Sequence, residues 1–464
     1  MSRDIVSAHI SVIILAAGQG TRMRSDRPKV LELLAGRPLL EHVLNAAETM
    51  HADEICVVCG YGGEQVRQTF AERNVIWVEQ QPQRGTGHAV QQALPAIKPD
   101  SIVLILCGDV PLVAPQTLQR LVDLAMKDRL AILTVEASDP SGYGRIIREP
   151  DGQIRAIVED SDASPEQRTI CEVNTGSLAS PMKYLSSWLE KLRPDNAQDE
   201  YYLTDIVSLA VADGRSVEGV VAKSETEVMG INDKVQLAEA ERAYRIRASN
   251  ELMLQGVGIA DPARIDLRGD LVCGKDVYLD INTVFEGSVE LGDGVTIGPN
   301  SIIRDTRIAA GSHVYENCIL DNATVGKDCA IGPYARLRPE AVLEQGARVG
   351  NFVEIKKSRV GAGSKVNHLS YIGDTTIGAD VNVGAGTITC NYDGASKHHT
   401  LIGDGVFIGS GVELVAPVEI GAGATIGAGS TITKSTPPGE LVLERSKQVV
   451  IPGWKKPAKK TGKD

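Results

Sequence analysis

The 464-residue sequence predicts an α/β chain: a Rossmann-like N-terminal domain with a mostly parallel sheet, a linker helix, and a C-terminal parallel β-helix built of hexapeptide repeats. Three observations predict it. From about Leu291 to Thr433 an aliphatic residue returns every six positions, as at Leu291, Ile297 and Ile303, and glycine often follows, as in Ile297-Gly298 and Val349-Gly350. Over the first 135 residues short β-rich runs alternate with helical stretches. Between these regions, residues 231–256 read as a charged helix containing Ala and Leu. A period of six is neither helical nor the alternation of a simple strand. It suits a β-helix, in which each short strand gives one aliphatic to a central stack and turns at a small residue.

The first strand is expected over 9–15, ending in Ala16-Ala17-Gly18-Gln19-Gly20-Thr21-Arg22-Met23. Further strands are expected at 54–59, 75–78, 101–106 and 130–135, separated by helices at 38–50, 63–73, 86–97 and 115–128. Such alternation argues for a parallel sheet with right-handed crossovers, and ligands then sit at the carboxyl ends of the strands. Polar motifs fall there: Gly18 and Gly20 after the first strand, Gln80 and Gly85-Thr86-Gly87 after the third, Gly108-Asp109 after the fourth. Asn232 and Asp233 make an N-cap region for the linker helix. The expected domains are 1–230, the helix 231–256, and 257–464 with a basic tail.

Within the repeat, the steps 303→308, 320→325, 355→360 and 372→377 are five rather than six, and each closes a set of three apolar positions. Three faces per coil make a triangular prism. The interval 383→402 breaks the rhythm, so Thr387–Thr400 reads as an insertion of about seven residues ejected from the coil, the kind of segment that forms a binding edge. Arg338 and Lys356 are eighteen residues apart, which an eighteen-residue coil would stack on one face, with His368 near them and residue 374 next in line.

Composition narrows the function. The net charge of −12 disfavours nucleic-acid binding. The basic run Lys455 to Lys460 reads as a solvated end. Cys56 and Cys59 have redox-motif spacing but lie in an apolar strand, where residues three apart point to opposite faces, so they read as buried structural cysteines. No apolar run of about 18 residues and no signal peptide is found, so a soluble, cytosolic protein without membrane partners is expected.

The first glycine-rich turn is neither a dinucleotide fingerprint, since Met23 stands where the third Gly belongs, nor a P-loop. It offers unobstructed backbone N–H groups with Arg22 and Lys29 nearby, which suits a polyphosphate. Asp109 alone could be an ordinary strand-end carboxylate. In the β-helix, the stacked cations Arg338 and Lys356 imply an anionic ligand. An isolated His is usually structural, but His368, with Tyr371 three residues on, is the best candidate for a general base. His398 and His399, in the ejected loop, are not candidates.

Together, Leu-x-x-Gly-x-Gly-Thr-Arg-Met with Pro28-Lys29, Gly85-Thr86-Gly87-His88-Ala89, Gly108-Asp109-Val110-Pro111, Gly142-Tyr143-Gly144-Arg145, Glu159, Asn174-Thr175-Gly176 and Tyr201-Tyr202-Leu203-Thr204-Asp205 resemble the sugar-1-phosphate nucleotidyltransferases. With the hexapeptide region behind them, nearly the whole chain resembles the bacterial bifunctional N-acetylglucosamine-1-phosphate uridyltransferases/glucosamine-1-phosphate acetyltransferases. The resemblance implies a nucleotidyltransferase domain followed by a left-handed β-helix. It gives Leu15, Ala16, Ala17, Gly18, Gln80, Gly85 and Thr86 to uridine binding, and Gly144, Glu159 and Asn174 to the amino sugar. It makes Asp109 and Asn232 the Mg²⁺ ligands and gives Arg22 and Lys29 to the phosphates, with Gly108 and Cys107 beside Asp109. Cys107 departs from the family pattern, where Tyr or another residue can precede Gly-Asp, and the departure bears only on a side-chain role there.

For acetyl transfer the resemblance makes His368 the base and places Arg338, Lys356, Tyr371 and Asn382 on the sugar phosphate. Ala385, Asn391, Tyr392, Ser410, Ala428 and Arg445 fall to acetyl-CoA. The implied substrates are UTP, glucosamine 1-phosphate, N-acetylglucosamine 1-phosphate and acetyl-CoA, and the implied assembly is a homotrimer with the acyl site between subunits. Two other readings remain open at this point: a single-activity nucleotidyltransferase with a regulatory β-helix, and a β-helix that is only an oligomerisation scaffold.

Overall fold

A computed structural model describes residues 9–457. The chain divides between Ala248 and Ser249 into two units.

In the N-terminal unit the first strand, β1 (Ile10–Ala16), is followed by α1 (Leu39–Glu48), β2 (Glu54–Cys59), α2 (Gly63–Thr69), β3 (Ile76–Glu79), α3 (Thr86–Ala93), β4 (Ile102–Cys107), α4 (Pro115–Ala125) and β5 (Leu130–Glu136). Next come the hairpin β6 (Arg145–Arg148) and β7 (Ile154–Val158), then β8 (Glu172–Pro181), α5 (Met182–Leu189), α6 (Ile206–Ala212) and β9 (Val217–Val221). The main sheet runs β9-β5-β8-β4-β1-β2-β3. Every pairing along it is parallel except those of β8. Both faces are covered, which is why β1 reads as an unbroken apolar run rather than an alternation: Val12 and Ile14 enter one core and Ile13 the other. Cys56 and Cys59 divide between the same two cores, and burial pushes their thiols up to about 12 and about 11.

The helix α7 spans Lys234–Leu254. Asp233 caps it, its carboxylate accepting from the N–H groups of Val235 and Gln236 at 2.9 Å each. Ile231 and Ala240 are buried against Met23, Leu34, Leu39 and Leu112, so the first half of this helix packs as part of the N-terminal body.

The second unit is a parallel β-helix with three strands per coil. One face forms an eleven-stranded ladder, and the other two alternate in a seventeen-stranded one. Every repeating aliphatic from Leu291 to Ile432 is buried. The first coil pairs Gly258–Ile259 with Tyr278–Leu279. The coil is usually seventeen residues, as at Ile297↔Val314 and Ile355↔Ile372. The eighteen-residue spacing holds in three stretches: the first coils, as at Leu279↔Ile297, around Leu337↔Ile355, and after the hairpin, as at Ile402↔Ile420. Gly373, not residue 374, therefore lies over Lys356.

The break at 383→402 is also smaller than the sequence suggests. Thr389 continues the stack at the six-residue step, paired with Leu414 and only 1% exposed. Its hydroxyl accepts from Gly373 N at 2.7 Å and lies 3.2 Å from Gly373 O, so a polar group is tolerated in the apolar column. The ejected segment is the short hairpin beyond Cys390, pinched by the Tyr392↔Lys397 bridge. Of the basic tail, residues 455–457 are exposed and the remainder lies outside the described residues.

Candidate active sites

The carboxyl ends of β1, β3 and β4 open into a cleft of about 420 Å³. Leu15, Ala16, Ala17 and Gly18 enter it from β1, Gln80, Gly85 and Thr86 from the turn into α3, and Cys107 and Asp109 from β4, with Lys29 between them. Gly18 leaves its side of the cleft open, since no heavy atom lies within 4 Å of where a Cβ would stand. Gly20 is fixed by two constraints: φ is +63°, and a Cβ would stand 2.6 Å from the Cβ of Lys29. Gly108 closes against β1 through its N–H, 2.9 Å from Leu15 O. Gln80 donates to Gly85 O at 2.9 Å. Gln83 and Glu200, not singled out from the sequence, also line the cleft, and Gln83 Nε2 donates to Ala17 O.

At the floor, Lys29 Nζ contacts Asp109 Oδ2 and lies 3.1 Å from Asn232 Oδ1. Asn232 reaches the cleft from just before α7, its own N–H donating to Gln236 at 2.7 Å. Two hard oxygen donors converging on one cation are the donor set that Mg²⁺ takes from a protein when substrate and water oxygens complete its shell. The residues therefore fit that ion, although no group of three or more His, Cys, Asp or Glu among the described residues could hold a metal unaided. Burial and then the Asp109 carboxylate push the Cys107 thiol up to about 12, which keeps it protonated. Arg22 lies in a 3-10 turn, Thr21–Met23, with its side chain exposed and outside the residues lining the cleft. Its charge is felt at Tyr143, a phenol raised chiefly by burial and by Asp109.

Gly144, Glu159 and Asn174 form a second cluster. Asn174 N donates to Gly144 O at 2.8 Å, and a Cβ on Gly144 would stand 3.3 Å from Glu159 Oε2. Thr204 Oγ1 donates to Glu159 Oε1 at 2.8 Å. Burial nonetheless holds the Glu159 carboxyl above its ordinary range.

In the β-helix, His368 pairs with Asn351 one coil below, and His368 Nδ1 lies 2.9 Å from Asn351 Oδ1. The carboxamide oxygen accepts, so Nδ1 carries a proton, and in the neutral ring the lone pair is on Nε2. The same corner continues upward through one repeated hydrogen bond. Leu369 N donates to Asn351 O, Gly386 N to His368 O, Gly411 N to Ala385 O and Gly429 N to Ser410 O. His368, Ala385 and Ser410 thus stand in one column, with Ala428 next to Gly429 and Arg445 3.8 Å from a Cβ placed on Gly429.

Lys356 pairs with Gly373 at the end of the strand Tyr371–Gly373, while His368 closes the preceding strand. Tyr371, which opens that strand, is felt electrostatically by both Arg338 and Lys356. Below them the ladder alternates in charge, with Arg268, Glu286, Arg304 and Asp321 in register. The alternation ends at Arg338 and Lys356. Each instead takes a carboxylate from elsewhere: Arg338 from Glu354 at 2.8 Å and Lys356 from Asp374 at 3.2 Å. Asp374 also accepts from Asn391 Nδ2, so this buried amide is occupied within the protein. Tyr392 is exposed on the hairpin, its hydroxyl donating to Gly394 O at 2.6 Å. Asn382 lies on a different face, outward between Lys365 and Phe407. His398 pairs with Asp393 within the hairpin at 2.6 Å, and His399 lies 3.0 Å from Thr376 Oγ1 in the neighbouring strand, so both are engaged within the protein. The sequence gives no role to Asn351, Glu354, Asp374 or Thr204. For Asn351 the seventeen-residue offset from His368 would have found it.

No helix among the described residues is long and apolar enough to cross a membrane. Residues 12–199 match the MobA-like NTP transferase domain family, and residues 270–305 and 399–434 match the bacterial transferase hexapeptide repeats. The bifunctional protein GlmU of Nitrosospira multiformis is 55% identical over 97% of this chain and 98% of its own length. That of Nitrosomonas eutropha is 56% identical over 97% and 99%, and that of Aromatoleum aromaticum 54% over 97% and 99%. The chain belongs to the family of the bifunctional protein GlmU, an enzyme family that acts on small molecules and joins uridyl transfer to acetyl transfer in UDP-N-acetylglucosamine synthesis.

Proposed function

We propose that the two activities divide between the two units. The β-helix acetylates glucosamine 1-phosphate with acetyl-CoA; the N-terminal unit then couples N-acetylglucosamine 1-phosphate to UTP and releases pyrophosphate. The supporting observation is that two chemically unlike clusters lie in different units, Asp109 with Lys29 and Asn232 in one, and His368 with Asn351 in the other.

In uridyl transfer, the sugar phosphate oxygen attacks the α-phosphorus of UTP, and the bond to the departing pyrophosphate breaks. The nucleophile is already anionic, so no general base is required. Asp109 and Asn232 would hold Mg²⁺, which when bound would screen the repulsion between the two anions. Lys29 and Arg22 stabilise charge on the leaving pyrophosphate. Leu15–Gly18, Gln80, Gly85 and Thr86 hold uridine, and Gly144, Glu159 and Asn174 hold the amino sugar.

In acetyl transfer, His368 Nε2 takes a proton from the sugar amine as the nitrogen attacks the thioester carbonyl. The C–S bond then breaks, and the imidazolium returns its proton to the departing thiolate. Asn351 holds the required tautomer. Arg338 and Lys356 receive the sugar phosphate, and Ala385, Ser410, Ala428 and Arg445 carry the coenzyme along the His368 column.

A homotrimer accounts for a feature of that corner. Tyr334, Phe352 and Leu369 occupy left-handed positions, with φ of 55°, 57° and 50°, and are more than half exposed. At corners above and below, Asn or Gly takes the same conformation, as at Asn317 and Gly386. Bulky apolar residues are disfavoured there, and contact with a neighbouring subunit beside His368 gives them a role. The nucleotide and thioester substrates favour a cytoplasmic location.

The test is a coupled assay. Thiol should appear from acetyl-CoA only when glucosamine 1-phosphate is present, and pyrophosphate from UTP only when the acetylated sugar is present. Thiol release without pyrophosphate, or the reverse, would refute the bifunctional reading.

A further inference from the structure

We infer that Arg145 is a positioning residue for uridyl transfer, setting Gly144 against Glu159 on the sugar-phosphate side of the site; this rests on the assignment of those two residues to the amino sugar. Arg145 opens β6, pairs with Val158 and Val173, and is followed by Ile146 and Ile147, so an aliphatic residue would suit its place. It is instead a guanidinium only 2% exposed.

Its partners are specific. Nη1 donates to Tyr143 O, and Nη2 donates to Asp160 Oδ1 at 3.0 Å. Tyr143 immediately precedes Gly144, and Asp160 immediately follows Glu159. One planar fork therefore joins the backbone on the near side of one sugar contact to the residue beyond the other. Gly144 O in turn accepts from Asn174 N, so the third contact is registered to the same cross-link. Arg145 Nε is buried without an acceptor. An incompletely satisfied buried cation is unfavourable for folding alone, and a rigid two-point tether is what a guanidinium supplies and an ammonium does not.

Steady-state kinetics on the full chain test this, with KM for UTP, KM for N-acetylglucosamine 1-phosphate and kcat measured separately. Arg145→Lys and Asp160→Ala are expected to raise the sugar-phosphate KM about tenfold, the scale of a modest misplacement of a bound reactant, while leaving the UTP KM unchanged. Asp160→Asn keeps an acceptor for Nη2 and should behave like the parent. If Arg145→Lys does not fold, the contrast between Asp160→Ala and Asp160→Asn decides. The inference is overturned if the sugar-phosphate KM does not move, if both KM values rise together, or if Asp160→Asn is as impaired as Asp160→Ala. Absence of saturation by N-acetylglucosamine 1-phosphate in the parent protein would instead refute the underlying site assignment.

Discussion

Lys29 Nζ lies 3.1 Å from Asn232 Oδ1 while also contacting Asp109, joining oxygens from residues 80 and 203 positions along the chain. An ammonium and a divalent cation cannot both occupy that point. Lys29→Met is therefore expected to tighten Mn²⁺ binding measured without nucleotide, because a competing charge is removed. Asp109→Ala should abolish that binding and lower uridyl transfer by about a hundredfold or more, the scale for losing charge stabilisation at a reacting phosphate. Chelation should stop uridyl transfer and spare acetyl transfer. Unchanged Mn²⁺ affinity in Lys29→Met would show that the two cations do not compete.

Glu159 predicts a trade between stability and binding. Burial raises its carboxyl pKa in the folded state. The stability linked to its protonation is present below the unfolded value and is lost as pH rises through the folded one. At neutral pH Glu159→Gln should melt higher by about 2–4 °C, and the difference should vanish in acid. The same variant should bind N-acetylglucosamine 1-phosphate more weakly. Thermal melts at several pH values, paired with KM, read both effects.

Asn351 fixes the imidazole of His368 at 2.9 Å. Asn351→Ala should lower kcat for acetyl transfer by about tenfold, a fraction of what a general base contributes, with uridyl transfer unaffected. An unchanged kcat would remove Asn351 from the account.

Among the eight cysteines only Cys171 is exposed. Brief alkylation at neutral pH should label Cys171 first, and mass spectrometry after digestion identifies the site. Cys107, despite lying in the cleft, should resist, because its thiol is pushed up to about 12. Early labelling of Cys107 would contradict that upward shift.

The β-helix was legible because nearly every inward strand position is aliphatic, so Leu291 to Ile432 mark the stack directly. Its exact coil was not. Arg338 and Lys356 are separated by a local eighteen-residue turn, and extending that spacing points to Asp374, where Gly373 in fact stands. Thr389 was hidden for a related reason: a threonine fills an apolar slot only when its hydroxyl is satisfied, and the partner, Gly373, lies a coil away. In the N-terminal unit, strand ends and glycine turns pointed to the residues that line the cleft. The roles of Thr204 and Asp160 were not legible because they act through tertiary contacts with Glu159 and Arg145 rather than through any spacing.

The most direct test is His368→Ala in the full chain, with thiol release and pyrophosphate release measured on the same preparation. The account predicts that thiol release from acetyl-CoA is abolished while pyrophosphate release from UTP and N-acetylglucosamine 1-phosphate continues at the parental rate. Acetyl transfer at the parental rate in His368→Ala would contradict it.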